Sequence, residues 1–139
     1  MNVLVAALAV GQLFFVDDSA VGANDGTSWQ DAFTDLQSAL AVAAAADQVW
    51  VARGTYKPAS TRDRSLSFEI DCAVYGGFDG TETRLADRAG FFDQTILTGD
   101  LLGDDGPDFA GTSENSANVV TVANEAPDGM SRRAVTAST

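Results

Sequence analysis

The stretch Gln48–Lys57, QVWVARGTYK, decides the predicted fold. Val49, Trp50 and Val51 form a run of β-branched and aromatic residues, which is typical of a short strand. Gly54 follows closely and predicts a turn, because glycine accepts backbone conformations that other residues avoid. The stretch therefore predicts a strand that ends at a tight corner.

Three further apolar runs repeat this pattern along the chain. The four runs are centred near Trp50, Val74, Leu97 and Val120, so the steps between them are 24, 23 and 23 residues. A period of this size indicates a solenoid, and about 23 residues can hold two or three short strands with their turns. The leucine-rich repeat has a similar period, but its leucine and asparagine pattern is absent. The spacing predicts a mainly β fold, a parallel β-helix.

One amphipathic helix is predicted ahead of these runs, over about residues 28–46. Trp29, Phe33, Leu36 and Leu40 recur at the spacing of one helical face. A solenoid needs an element that covers the apolar end of its first rung. We therefore predict that this helix is an N-terminal cap of the β-helix.

Three segments follow from this interpretation. Residues 1–12 are a signal-like or leading apolar segment, residues 13–124 hold the cap and first rungs, and residues 125–139 form a disordered or truncated tail. The next rung would be centred near position 143, beyond Thr139. We therefore expect a β-helix truncated after three to four rungs, whose partner is the remainder of a longer β-helix chain.

The composition limits the classes of function. Acidic residues outnumber basic ones 20 to 8, for a net charge of −12, which disfavours nucleic acid and anionic lipid as partners. The chain has no histidine, which excludes imidazole-based catalysis and metal ligation. The apolar run Val3–Val10 is too short for a transmembrane helix. Cys72, the one cysteine, lies in an apolar run and is expected to be a small buried residue rather than a reactive thiol.

Several segments together resemble a known superfamily. They are FFVDDSAVGANDGTSWQDAFTDLQSALAVA, VWVARGTYKP, FEIDCAVYGGFDGTETR and TILTGDLLGDDGPDF, within roughly residues 13–122. This set resembles the N-terminal part of right-handed parallel β-helix proteins of the pectin-lyase-like superfamily, in particular large secreted or surface bacterial proteins similar to polymorphic outer-membrane proteins. Asp71-Cys72 departs from the more usual Asn-Gly of that pattern. The resemblance implies a right-handed β-helix in a secreted or cell-surface protein.

An acidic loop, DLLGDDGPD, could bind a cation. It offers Asp100, Asp104, Asp105 and Asp108 with glycines between them, and Ca²⁺ prefers several oxygen ligands on a flexible loop. The spacing is not that of an EF-hand. The alternative is a solvated turn, since aspartate and glycine are common in turns. A second acidic group, Asp17, Asp18 and Asp25, is a weaker candidate.

Two functions remain open at this stage. The first is a non-catalytic cap and first rungs with a structural, adhesive or glycan-binding role toward a polysaccharide or cell-surface partner; Tyr56, beside a polar loop, is the candidate for stacking on a sugar. The alternative is the front end of a pectate-lyase-like polysaccharide lyase or a glycoside hydrolase, with its catalytic rungs outside this chain. The charged residues that match a lyase in type are Asp71, Asp79, Glu82, Arg84, Arg88, Arg53 and Lys57. Their spacing does not show convergence, and we expect them to be loop charges on a solvated face.

Overall fold

A computed structural model describes residues 11–58, 68–88, 95–116, 119–125 and 131–137. One helix and eight short strands follow one another along these ranges. Their bounds are β1 Leu13–Val16, α1 Leu36–Val42, β2 Gln48–Ala52, β3 Gly54–Tyr56, β4 Phe68–Ile70, β5 Ala73–Phe78, β6 Thr95–Leu97, β7 Val120–Glu125 and β8 Ser131–Ala137. The four predicted apolar runs are confirmed as strands, since they coincide with β2, β5, β6 and β7.

The strands form three small sheets. The first has the order β1-β2-β5, the second β3-β6 and the third β4-β7-β8. All pairs are parallel except β7 with β8, which is antiparallel. In the first sheet Phe15 lies beside Trp50, and Trp50 lies beside Tyr75.

The first sheet packs on both faces, because successive side chains of a strand point to opposite sides. Val16, Val49 and Val51 belong to the main core, together with Leu36 of α1 and Phe68 of β4. The opposite face carries an aromatic cluster, which consists of Phe15, Trp29, Trp50 and Phe78. The rings of Trp50 and Phe78 stack with their centroids 4.8 Å apart. Trp50 and Phe78 are both buried.

The predicted helix over about residues 28–46 is wrong in its extent, because α1 spans only Leu36–Val42. The backbone of Phe33 is instead bridged to β1: its N–H donates to the carbonyl of Phe15, and its carbonyl accepts from the N–H of Asp17. The carbonyl oxygen of Asp31 accepts from the N–H groups of Asp25 and Gly26, which precede it, so this segment forms a turn. Trp29 and Phe33 therefore pack from turns and bridges and are not part of a helical face.

The predicted fold class, a right-handed parallel β-helix truncated after three to four rungs, is contradicted. The described residues form short strands in small sheets with a single helix, and no solenoid is detected among them. The 23-residue period required the four apolar runs to stack on one another. Only β2 and β5 do so, whereas β6 pairs with β3 and β7 pairs with β4. Regular spacing in sequence did not determine which strands pair.

The two ends of the chain differ in how much the structure describes. Most of the leading segment 1–12 lies outside the described residues. The segment 125–139, predicted as a disordered or truncated tail, contains β8, which is described as a strand along β7. In the part of the chain that the structure describes, no helix is long and apolar enough to cross a membrane.

Candidate functional site

An open cleft of about 410 Å³ lies where the start of α1 meets the end of β3. We call it the Tyr56 cleft. It is lined by Thr34, Asp35, Gln37, Thr55, Tyr56, Lys57 and Pro58. Its volume is within the range of small-molecule sites, and most of its lining side chains carry hydroxyl, amide or charged groups.

The wall on the α1 side is fixed by helix capping. Asp35 is the N-cap of α1, and its carboxylate accepts hydrogen bonds from the N–H of Ser38 at 2.8 Å and from the hydroxyl of Ser38 at 2.7 Å. Two residues further, the Gln37 side-chain amide donates to the carbonyl oxygen of Pro58 at 3.0 Å. This bond joins the two walls, so the width of the cleft is set by the packing of α1 against the chain after β3.

Tyr56 lies in the floor of the cleft, where only 3% of the residue is exposed. Its hydroxyl donates to the carbonyl of Ala52 at 3.0 Å and accepts from the N–H of Asp18 at 3.4 Å. Burial raises the pKa of the Tyr56 phenol, which therefore stays neutral. The sequence prediction for Tyr56 assumed an exposed ring. The structure brings the residue to a cleft but leaves no open ring face on which a sugar could stack.

Lys57 provides the positive charge of the Tyr56 cleft. It is the one lysine in the sequence, and its side chain is half-buried. Its ammonium group donates to the carbonyl of Leu101 at 3.3 Å, which places the charge next to the acidic loop. The two features that the sequence singled out separately, Tyr56 and the aspartates after Thr98, are therefore linked through Lys57.

The acidic loop brings together three of the four predicted calcium ligands. One carboxylate oxygen from each of Asp100, Asp104 and Asp105 lies within 4.8 Å of the others, whereas Asp108 does not belong to this group. Asp104 and Asp105 are exposed. The chemistry of three carboxylates fits a hard cation such as Ca²⁺, which would take them as oxygen ligands.

Asp100 has a structural role of its own in this loop. Its carboxylate accepts from the backbone N–H groups of Gly103, Asp104 and Asp105 at 2.6, 3.2 and 3.4 Å. Burial alone would raise the pKa of Asp100, but these hydrogen bonds and the nearby Lys57 charge outweigh it and lower the pKa. The alternative of a turn organised by aspartate accounts for these contacts without a cation.

The second acidic group also organises turns. Asp17 accepts hydrogen bonds from the N–H and the hydroxyl of Ser19, and Asp25 accepts the same pair from Thr27. These are local bonds that aspartate commonly makes in loops. The structure thus gives the carboxylates of Asp17 and Asp25 a role in shaping the chain ahead of α1.

Several charged residues that match a lyase in type have nearby partners. Arg53 forms an exposed ion pair with Asp79 at 3.7 Å. The Glu82 carboxylate accepts from the N–H groups of residues 79–81 and so closes that turn. Arg88 lies over the ring of Tyr75 and donates to two backbone carbonyls. Arg84 forms an ion pair with Asp87, at 2.9 Å.

Comparisons with known proteins gave no match: no family model, no curated protein and no solved structure matches this chain. The proposed function therefore rests on the geometry of the described residues.

Cys72 fits the expectation of an unreactive thiol. It is half-buried and packs against the main core. Burial raises the pKa of its thiol, and the neighbouring Asp71 acts in the same direction. Since the thiolate is the nucleophilic form, this environment disfavours reactivity.

Sequence reasoning did not identify most of the cleft. Five lining residues were not predicted as site residues: Thr34, Asp35, Gln37, Thr55 and Pro58. The polar pair Thr55 and Lys57 on either side of Tyr56 was the one local signal available, because alternate residues of a strand share a face. The opposite wall comes from α1, about twenty residues earlier, and only tertiary packing brings it there.

Proposed function

We propose that this chain is a non-catalytic module of a secreted or cell-surface protein, and that it binds glycan in the Tyr56 cleft. The observation that carries the proposal is the lining of the cleft, where hydroxyl, amide and charged side chains surround a buried aromatic floor. Sugars present many hydroxyl groups that both donate and accept, together with apolar C–H faces. The exposed polar side chains of the cleft offer partners for the hydroxyl groups.

The hydroxyl-bearing residues are accessible to a ligand. Thr34 and Thr55 are exposed and stand on the two opposite walls. Tyr56 and Pro58 are buried and form the apolar part of the lining. A sugar ring seated between the walls would place hydroxyls near both threonines.

The proposal of a non-catalytic role rests on how the carboxylates are used. Four carboxylates accept hydrogen bonds from N–H groups of the chain itself. Asp35 caps α1, Asp100 and Glu82 accept from N–H groups of their loops, and Asp47 accepts from two backbone N–H groups. Hydrogen bonds from backbone N–H groups lower the pKa values of Asp47, Glu82 and Asp100, which makes these three carboxyls poor proton donors. The described carboxylates thus support a structural use, and no observation favours the lyase or hydrolase alternative.

The experiment uses the single lysine as a reporter. Reductive methylation with ¹³C-formaldehyde gives Lys57 a methyl signal in NMR spectra, and only the α-amino group adds a second one. Titration with soluble oligosaccharides should shift the Lys57 signal in a saturable manner. Thr55→Val should weaken that binding several-fold, whereas Thr81→Val, an exposed threonine in the turn after β5, should not. If no oligosaccharide shifts the Lys57 signal, the proposal is wrong.

A further inference from the structure

The charges around the Tyr56 cleft bear on which glycans it accepts. Two of its lining residues are charged, Asp35 and Lys57. Asp35 is held in place by Ser38, so its negative charge stays at the rim of the cleft. The two formal charges cancel, and the lining has no net positive charge to offer an acidic sugar.

Lys57 is further occupied outside the cleft. Its ammonium group donates to Leu101 and lies close enough to Asp100 to lower the pKa of that carboxyl. A uronate carboxylate that approached Lys57 would therefore meet Asp35 within the cleft and Asp100 beside it. The whole chain, at −12, adds repulsion at longer range.

Neutral sugars carry no charge, so these carboxylates do not repel them. A hydroxyl group can donate to the Asp35 carboxylate or accept from the Lys57 ammonium, and it brings no charge of its own. Thr55 can act as either donor or acceptor, whereas the Thr34 hydroxyl donates to the side-chain oxygen of Asn24 at 3.4 Å and can still accept from a sugar. We infer that the Tyr56 cleft selects neutral glycans and rejects polyuronates, an inference that rests on the proposed glycan-binding function.

The test compares two kinds of probe on the same ¹³C-methylated protein. Neutral hexasaccharides of glucose, mannose and xylose form one set, and hexagalacturonate is the acidic counterpart. At low ionic strength of about 20 mM, where charge repulsion is screened least, at least one neutral probe should bind at least about tenfold more tightly than hexagalacturonate. Raising the salt to about 150 mM should narrow the difference.

Asp35→Asn separates charge from structure. Asparagine is as good an N-cap as aspartate, so α1 should be kept, while the negative charge at the rim is lost. Hexagalacturonate should then bind several-fold more tightly than it does to the unsubstituted protein. Asp71→Asn removes a charge from an exposed residue that does not line the cleft, and should change hexagalacturonate binding less.

The outcomes distinguish the two proposals. If hexagalacturonate shifts the Lys57 signal as strongly as every neutral probe, or more strongly, the cleft binds glycan but the neutral preference is wrong. If Asp35→Asn leaves the preference unchanged while α1 is intact by NMR, the charge argument is wrong. If neither class of probe shifts the signal, the proposed function fails and this inference fails with it.

Discussion

The indole N–H of Trp29 donates a 2.8 Å hydrogen bond to the carbonyl oxygen of Glu82, 53 residues further along the chain. The same ring contacts Phe15 and Phe78 at centroid distances of 4.7 and 5.5 Å. The segment ahead of α1 is thereby attached to the face of the first sheet that carries the aromatic cluster. Trp29 therefore holds this segment in place through both a hydrogen bond and ring contacts.

Replacing Trp29 should destabilise the fold in two steps. Trp29→Phe keeps an aromatic ring but loses the hydrogen bond to Glu82, so we expect a loss of about 1 kcal/mol in the free energy of unfolding. Trp29→Ala also removes the ring contacts, and the loss should reach about 3 kcal/mol. Urea unfolding followed by circular dichroism measures both. Val21→Ala, at a side chain that is 94% exposed, should be neutral; equal stability of all three variants would show that the cluster contributes nothing.

The sequence predicted the strands better than it predicted their partners. The apolar runs around Trp50, Val74, Leu97 and Val120 all became strands, because runs of β-branched and aromatic residues have few alternatives once buried. Their even spacing suggested a stack, but parallel strands pair through backbone hydrogen bonds that carry no sequence signature. The pairing of Leu97 with Tyr56 therefore could not be read from the spacing.

The start of α1 shows a second limit of the sequence. The apolar spacing from Trp29 to Leu40 suits a helix, yet α1 begins at Leu36, eight residues later than the predicted start at 28. The backbone bonds of Asp31 to Asp25 and Gly26, and the bridge of Phe33 to β1, hold the earlier residues in a turn. For the same reason Asp35 was not predicted in the candidate site: its place at the rim depends on where the helix begins.

Asp47 should make the free energy of unfolding depend on pH. Its carboxylate accepts from the N–H groups of Ala44 and Gln12, each at 2.7 Å, and these bonds lower its pKa. A carboxyl whose pKa is lower in the folded than in the unfolded state stabilises the fold above the ordinary value of about 3.9. That contribution is lost as the pH falls through about 4 toward the folded-state pKa.

Asp47→Asn tests this contribution. The variant should be less stable than the unsubstituted protein at about pH 7, and this difference in stability should narrow at about pH 3, below the ordinary carboxyl pKa of about 3.9. Urea unfolding at both pH values measures it. Asp71→Asn, at an exposed residue, is the matched control. If the difference in stability between Asp47→Asn and the unsubstituted protein is the same at both pH values, the charge of Asp47 does not contribute to it.

Asp100 should hold the acidic loop whether or not a cation binds there. Asp100→Ala removes the acceptor for the N–H groups of Gly103, Asp104 and Asp105, so their amide hydrogens should exchange faster, by a factor on the order of ten. Hydrogen exchange followed by NMR measures each amide. Unchanged exchange would contradict the organised turn.

The same amides report on the predicted calcium ligands. If Asp100, Asp104 and Asp105 bind Ca²⁺, added Ca²⁺ should shift these amide signals in a saturable manner, with a dissociation constant of about 1 mM or lower. Asp104→Asn should weaken the effect, while Asp108→Asn, outside the group of three, should weaken it less. Shifts that grow linearly without saturation would leave the turn as the sufficient explanation.

Gly26 should tolerate substitution least among three glycines that differ in backbone and surroundings. Its φ is +75°, and a Cβ built there would lie 2.5 Å from the Phe33 ring, so Gly26→Ala combines backbone strain with a clash against a packed side chain. Gly80 has a φ of +92°, but its nearest neighbour is the end of the Asp17 side chain at 3.0 Å, which can move. Gly106 has an ordinary φ of −123° and more space.

The three alanine variants should therefore rank in a fixed order. The left-handed backbone alone costs about 1–2 kcal/mol in Gly80→Ala, the clash adds to this in Gly26→Ala, and Gly106→Ala should be close to neutral. Thermal unfolding of the three variants under one set of conditions gives the order directly. If Gly26→Ala were as stable as Gly106→Ala, the contact of Phe33 with the turn at Gly26 would be looser than described, and the packing of the segment ahead of α1 on β1 would need revision.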